Sequence, residues 1–317
     1  MKDSILSNLC HIILDSNRNF AYSCYFRCAG ITLRLESEYP LTVKSFHPSF
    51  KLFKADGSGE DIITIGVFSE LPLLGYQEND ELVSKKVGWT AWRVGDSWMY
   101  LKTSRDETKI SCMAAFNRDH TKARICSVGS NQPNGVNSFL RYNDQTVLTQ
   151  IPLAYALANC GGCFIHSSGV VLDGKGVLFV GCSGAGKSTI KRMILSNSRA
   201  EPLCDERNII RKWPDGYQVH GVWANKDLSD VSATSSPLGA IMFLEQSNEN
   251  RVSPIGNRID IIKRLLTCVL GPAESAEWWD KSLKIMGDIA KDIPCYRVNF
   301  DLSGQIVKLI EDAVSRI

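Results

Sequence analysis

The 317-residue sequence has no excess charge of either sign and no long hydrophobic run. Its 36 Lys and Arg residues nearly balance its 34 Asp and Glu residues, for a formal net charge of +2, and they form no basic block. We therefore expect neither nucleic acid nor a membrane as a partner. No stretch approaches the ~18 consecutive apolar residues of a transmembrane helix. The first residues include Asp3 and His11 and lack the apolar segment of a signal peptide, so we predict a cytoplasmic protein.

The 11 cysteines show neither the clustering of a disulfide scaffold nor the spacing of a four-ligand zinc site. Cys160 and Cys163 form a single CxxC pair, with no second pair and no histidine pair nearby. We interpret the cysteines as reduced and mostly buried. The sequence also shows no internal repeat and no low-complexity segment.

The first part of the chain has the pattern of a β-rich unit. After an amphipathic helix predicted over residues 1–15, short segments alternate apolar with polar residues. The predicted strands are 31–35, 62–68, a hairpin over 88–103 that turns at Gly95-Asp96, and 109–116. We predict a mainly β accessory or substrate-docking domain over residues 1–135.

Helical and strand-like segments are mixed after the loop-like stretch 128–138, which we take as the boundary region. The predicted helices are 146–162, 188–198, 259–270 and 305–317. The predicted strands are a pair within 163–181, around an Asp-Gly-Lys-Gly turn, and 238–246. We predict an α/β catalytic domain over residues 136–317.

Residues 177–189, VLFVGCSGAGKST, contain the phosphate-binding pattern G-x-x-x-x-G-K-[ST]. Glycines allow backbone amides to curve around an anion, and the helix that follows adds the positive end of its dipole. The alternative is a plain turn between a strand and a helix. We predict that the motif binds the phosphates of ATP, with Lys187 at the β- and γ-phosphates and Ser188 on Mg²⁺. The predicted nucleotide-binding residues are Gly181, Ser183, Gly184, Ala185, Gly186, Lys187, Ser188 and Thr189.

Three further side chains are candidates for chemistry beside this motif. Asp205 and Glu206 follow the predicted helix between two short apolar segments, so we expect the pair near a strand end. One carboxylate would accept a hydroxyl proton and the other would hold Mg²⁺, unless the pair occupies a solvated turn. His166 lies on the strand before the motif, where it is either a core or rim residue or a donor to phosphate.

Residues ~160–300 resemble the C-terminal catalytic domain of HPr kinase/phosphorylase and its broader relatives, which include peptide-tailoring kinases. The resemblance rests on the order of segments in IHSSGVVLDGKGVLFVGCSGAGKST and on the acidic pair in PLCDERNII. It implies an α/β fold with a P-loop sheet of the phosphoenolpyruvate carboxykinase and HPr kinase type. It also implies that Lys187, Ser188 and Thr189 bind triphosphate and Mg²⁺. By the same resemblance, Asp205 is the catalytic carboxylate and His166 the active-site histidine.

The sequence departs from the resembling family at three points. The family's acidic pair is commonly Asp-Asp, whereas Glu206 occupies the second position here, where we predict a metal ligand beside Ser188. Arg251 and Arg258 do not fit the Gly-Arg-Asn signature of the bifunctional enzymes. The N-terminal half differs from that of the HPr enzymes and is more similar to that of the broader relatives.

We interpret the chain as an ATP- and Mg²⁺-dependent kinase that phosphorylates a hydroxyl, of serine above all, on a protein or peptide such as a biosynthetic precursor. Asp205, His166 and Lys187 are the predicted catalytic residues. Two alternatives stay open, a nucleotide-dependent regulatory or binding module without transfer and a kinase of a small molecule. A homo-oligomeric assembly also stays open.

Overall fold

The fold is described from a computed structural model of the chain. The structure describes residues 10, 13–14, 18–57, 59, 61–68, 81–86, 89–103, 110–127, 149–223 and 231–317. It divides into two compact units, Met1–Ala156 and Leu157–Ile317. The loop-like stretch 128–138, with the predicted boundary after residue 135, lies outside the described residues, as does most of the predicted helix over residues 1–15.

In the described part of the first unit, nine strands form one mixed sheet. The strands are β1 (Tyr22–Cys28), β2 (Ile31–Ser37), β3 (Lys54–Ala55), β4 (Asp61–Phe68), β5 (Glu81–Lys86), β6 (Trp89–Val94), β7 (Ser97–Thr103), β8 (Ile110–Phe116) and β9 (Lys122–Ser127). Their order across the sheet is β3-β1-β2-β4-β9-β8-β7-β6-β5, and the pairs β2–β4 and β4–β9 are parallel. Two 3₁₀ helices, Val43–Ser45 and Pro48–Phe53, lie between β2 and β3.

The predicted strands of this unit are confirmed where the structure describes them. Residues 31–35 lie in β2 and residues 62–68 lie in β4. The hairpin turns at Gly95, whose φ of 58° is in the left-handed region that favours glycine. Local alternation and a glycine turn therefore suffice to locate these strands.

The described residues of the second unit form ten strands in one sheet, with helices on both faces. The strands are β10 (Gly162–Ile165), β11 (Ser167–Leu172), β12 (Lys175–Val180), β13 (Glu201–Pro202), β14 (Asn208–Trp213), β15 (Gly216–His220), β16 (Ser235–Gln246), β17 (Arg251–Pro254), β18 (Val269–Leu270) and β19 (Cys295–Phe300). The helices are α1 (Ile151–Asn159), which runs across the division between the units, α2 (Lys187–Asn197), α3 (Arg258–Leu266), α4 (Ala276–Asp292) and α5 (Ile306–Ser315).

Three parallel strands lie side by side in this sheet. β12 pairs with β16 and β16 pairs with β19, all in the same direction, while β11 pairs antiparallel with the other edge of β12. The carboxyl ends of β12, β16 and β19 and the beginning of β11 consequently meet at one edge of the sheet. The chain segments that leave this edge build the site described below.

Alternating residues of β16 face two different helix pairs. Ile241 and Phe243 are buried with residues of α3 and α4, whereas Met242 and Leu244 are buried with residues of α2 and α5. Because successive side chains of a strand point to opposite faces, the apolar run of this strand requires a helix layer on each side. The second unit is thus a three-layer α/β structure.

Two predicted elements differ from the structure at their ends. The helix predicted over 146–162 is shorter, since α1 ends at Asn159, Gly161 has φ 70° and Gly162 already begins β10. The helix predicted over 259–270 ends at Leu266, and Val269 and Leu270 instead pair with β10. In both cases the last residues of the predicted helix fit the helical periodicity but belong to a strand in the structure.

The substitution Phe179→Ala tests the assignment of Phe179 to the core of the second unit. The side chain is fully buried on β12, among residues that α2 and α5 cover. We expect Phe179→Ala to lower the free energy of unfolding by about 3–5 kcal/mol, because contacts are lost and a cavity remains. Denaturant unfolding measures the change, with Leu309→Ala as the control, since Leu309 on α5 is 38% exposed. Equal losses in the two variants would contradict the assignment of Phe179 to the core.

Candidate functional site

The glycine-rich loop, residues 181–186, joins the carboxyl end of β12 to the first turn of α2. β12 ends at Val180 and α2 begins at Lys187. Strand, loop and helix thus follow one another in the order that phosphate binding requires. The exposed Ser183 lies in this loop, and Ser188 and Thr189 are half-buried in the first turn of the helix.

Two glycines give the loop its shape. Gly184 and Gly186 have φ angles of 81° and 92°, in the left-handed region that side-chain-bearing residues rarely adopt. A Cβ atom at Gly186 would also lie 2.6 Å from the ring of Phe300. The Gln246 side chain donates from Nε2 to the Gly184 carbonyl at 2.8 Å, so the end of β16 holds the loop from the side. Position 186 requires glycine both for its backbone angle and for its packing.

Lys187 places a positive charge at the base of this loop. Its side chain is 8% exposed, and Nζ donates to the carbonyl oxygens of Gly181 at 2.8 Å and Cys182 at 3.0 Å. The first N–H groups of a helix have no partner within the helix, and they carry the positive end of its dipole. An anion at this position meets an ammonium group and backbone donors together.

The carboxylate of Asp205 meets the start of α2 from a separate part of the chain. It accepts hydrogen bonds from the hydroxyl of Ser168 and from the backbone N–H of Glu206, the latter at 3.1 Å, and the Ser188 hydroxyl also lowers its pKa. Burial raises the pKa of Asp205, but these hydrogen bonds and the nearby Lys191 ammonium more than offset the effect and hold the pKa below its usual value. The carboxyl group is therefore ionised at neutral pH.

Ser168 and Lys191 hold this carboxylate, and the sequence analysis identified neither. Ser168 is buried on β11 opposite Phe179 of β12, which brings it to the edge of the sheet where the glycine-rich loop begins. Lys191 is 5% exposed and donates from Nζ to the Leu203 carbonyl at 2.7 Å, so it ties the segment before Asp205 to α2. Its spacing of four residues from Lys187, which places both on one helix face, was the signal that could have found it.

His166 and Glu206 meet through the backbone. His166 donates from Nδ1 to the Glu206 carbonyl at 2.8 Å, which leaves Nε2 as the remaining polar atom of the ring. Glu206 has φ 74°, a left-handed conformation that is strained for a residue with a side chain. The prediction that His166 lies on a strand is wrong. The residue lies between β10, which pairs with β14, and β11, which pairs with β12.

The structure brings together most of the predicted site residues. Hydrogen bonds connect Asp205 with Glu206 and Glu206 with His166, and the Ser188 hydroxyl lowers the pKa of Asp205. The contacts of Lys187 run to the loop carbonyls. The two arginines considered from the sequence lie elsewhere on the second unit. Arg251 begins β17 and Arg258 begins α3, and both are exposed.

The Ser188 hydroxyl, with the ionised Asp205 carboxylate nearby, fits a magnesium ion that arrives with a nucleotide. Among the residues that the structure describes, no three His, Cys, Asp or Glu side chains form a metal-binding group. Mg²⁺ in a nucleotide site needs few protein ligands, because phosphate oxygens and water fill the other positions. A hydroxyl oxygen is a hard donor of the kind that this ion prefers, and the nearby ionised carboxylate adds negative charge.

Comparison with known proteins assigns the chain to a family. Residues 144–315 match the family described as SynChlorMet cassette protein ScmC, which is more than half of the chain and includes every candidate site residue. The chain belongs to the ScmC family. No curated protein matches this ScmC chain. Within the described residues, no helix has the length and hydropathy needed to span a membrane.

Among solved structures, the ScmC chain is similar to the HPr(Ser) kinase/phosphatase from Coxiella burnetii. The similarity covers 48% of this chain and 94% of that chain, with 13% sequence identity and a TM-score of 0.27. A TM-score of this size supports no conclusion about activity. The predictions that follow therefore rest on the geometry of the site.

Ser168→Ala tests how the charge of Asp205 is maintained in ScmC. The ionised carboxylate loses a hydrogen bond, so we expect the pKa of Asp205 to rise toward its usual value. A lowered carboxyl pKa stabilises the fold above the unfolded-state pKa, and this stabilisation is lost as the pH falls through the folded-state pKa. The variant is therefore less stable than wild type at neutral pH, and the difference shrinks on acidification.

A carbon-13 NMR titration of the Asp205 carboxyl, together with unfolding at several pH values, measures both effects. The matched control is Ser167→Ala, because the buried Ser167 hydroxyl bonds instead to the Ile165 carbonyl and the Asn208 side chain. The account of the site is wrong if Ser168→Ala leaves the pKa of Asp205 at its wild-type value.

Proposed function

We propose that this ScmC protein is an ATP- and magnesium-dependent kinase that transfers the γ-phosphoryl group to a hydroxyl group. One observation carries the proposal: the hydrogen bonds of Ser168 to the Asp205 carboxylate and of Lys191 to the Leu203 carbonyl place an ionised carboxylate beside the start of α2. A glycine-rich loop alone indicates a phosphate-binding site. A half-buried carboxylate from another segment, held beside the start of this helix, adds the charged group that phosphoryl transfer requires.

In this proposal the loop binds the triphosphate. The backbone N–H groups of the loop and of the first turn of α2 would donate to phosphate oxygens. The ammonium of Lys187 would exchange the carbonyls of Gly181 and Cys182 for the β- and γ-phosphates. Ser188 would hold Mg²⁺, with the acidic pair Asp205 and Glu206 adjacent. Bound Mg²⁺ would neutralise phosphate charge.

Asp205 would orient the acceptor hydroxyl toward the γ-phosphorus. The acceptor oxygen forms a bond to that phosphorus, the bond to the β,γ-bridging oxygen breaks, and the acceptor proton passes to the carboxylate. A carboxyl group with a lowered pKa is a weak base, so its main contribution is orientation, which suits the loose transition state of phosphoryl transfer. His166 acts as a positioning residue, since it holds the Glu206 carbonyl.

The acceptor in this proposal is a serine hydroxyl on a protein or peptide. The support is the resemblance of the sequence to peptide-tailoring kinases together with the absence of a basic block that would attract nucleic acid. A cytoplasmic location is part of the same proposal. The description of ScmC as a cassette protein names no acceptor.

Two substitutions separate nucleotide binding from transfer. We expect Lys187→Met to weaken MgATP binding by about tenfold or more, because a charged donor to the phosphates is lost. We expect Asp205→Asn to keep MgATP affinity within a few-fold and to lower transfer by about 10²- to 10⁴-fold. Calorimetry measures binding, and label from γ-labelled ATP on serine-containing peptides measures transfer.

The control variant is Lys263→Met, which removes an exposed lysine in the last turn of α3 and leaves both quantities unchanged. Nucleotide binding without label transfer to any peptide, protein or small hydroxyl compound would favour a regulatory module instead. Full transfer by Asp205→Asn would contradict the role of this carboxylate.

A further inference from the structure

An open groove of about 720 Å³ lies beside the glycine-rich loop. Gly186 and Thr189 line one side, and residues 246–248 and 300–302 line the rest. Its volume is within the range of about 300–1,000 Å³ that is common for small-molecule sites. The residues that would hold the phosphates therefore also form one wall of a ligand-sized space.

The groove and Asp205 lie on opposite sides of the loop. The lining segments follow the carboxyl ends of β12, β16 and β19, where ligands bind in open α/β sheets. β12 lies between β11 and β16 in the sheet. Asp205 is held on the β11 side by Ser168, whereas the groove opens on the β16 and β19 side.

The groove combines apolar and polar surface in the way that a nucleoside needs. Leu302 is 77% exposed, the highest value of any large hydrophobic side chain in the described ranges. The buried Phe300 ring supports the floor beneath Gly186. Asn248 lines the groove with an amide, and Asp301 lines it with a carboxylate whose Oδ1 accepts hydrogen bonds from Ser303. A nucleobase has apolar faces and polar edges, and a ribose has paired hydroxyl donors that suit a carboxylate.

We propose that this groove binds the nucleoside part of the nucleotide, with Leu302 against the base and Asp301 accepting hydrogen bonds from the ribose hydroxyls. The inference rests on the proposed function and adds the orientation of the bound nucleotide. The nucleoside lies toward β19 and the terminal phosphate lies toward Asp205. An acceptor hydroxyl consequently approaches from the β11 side of the loop.

Leu302→Ser tests this inference with two ligands, MgATP and magnesium tripolyphosphate, which lacks the nucleoside. We expect the variant to raise the Kd for MgATP about five- to tenfold, because apolar contact with the base is lost. The Kd for tripolyphosphate stays within twofold of wild type. Calorimetry measures both, and Leu302 is exposed enough that the substitution leaves the fold intact. Leu283→Ser, at a residue 43% exposed on α4, is the control and changes neither Kd.

Asp301→Asn provides an independent measurement. We expect it to weaken ATP binding about five- to tenfold and to leave the affinity for 2′,3′-dideoxy-ATP unchanged, because that analogue has no ribose hydroxyls to donate. Wild-type protein could bind both ATP and tripolyphosphate while Leu302→Ser changes the Kd for these two ligands equally and Asp301→Asn changes the Kd for ATP and dideoxy-ATP equally. In that case the groove is not the nucleoside site, and the proposed kinase function is unaffected. Wild-type protein that binds neither ligand would overturn both proposals.

Discussion

The interactions of Asp205 and its segment connect three parts of the chain that are far apart in the sequence. Ser168 of β11 donates to the carboxylate, Lys191 of α2 donates to the Leu203 carbonyl and helps to lower the pKa of Asp205, and Asp205 itself follows β13. The ionised form of the carboxyl group holds these bonds, and the bonds in turn keep its pKa low. The position and the charge of the candidate catalytic group therefore have the same physical origin.

The direction of the strands explains why the two sides of the glycine-rich loop differ. β12, β16 and β19 are parallel, so their carboxyl ends meet at one edge and leave the groove between the segments that follow. β11 runs antiparallel, and its beginning brings Ser168 to the same edge on the other side. In the proposed kinase the nucleoside and the acceptor would lie at opposite ends of the triphosphate, and this sheet order separates the groove from Asp205.

The elements around the loop could be predicted because each depends on a local pattern. The turn of the β11–β12 hairpin lies at Asp173 and Gly174, with φ angles of 50° and 75°, and the apolar run of β16 is equally visible. Ser168 and Lys191 could not be assigned to the site, since their roles depend on strand register and on the return of residues 203–206 to α2. The break at His166 was missed for the same reason, because β10 pairs with β14 and β18 and not with the strands beside β11.

The central claim is that residues 181–189 bind a triphosphate whose terminal phosphorus faces Asp205. A crystal structure with Mg²⁺ and a non-hydrolysable ATP analogue tests it most directly. We expect phosphate oxygens within hydrogen-bond distance of the backbone N–H groups of residues 184–189, and Lys187 Nζ on phosphate in place of the Gly181 and Cys182 carbonyls. A triphosphate bound elsewhere, or one bound here while Lys187 keeps both carbonyls, would contradict the account.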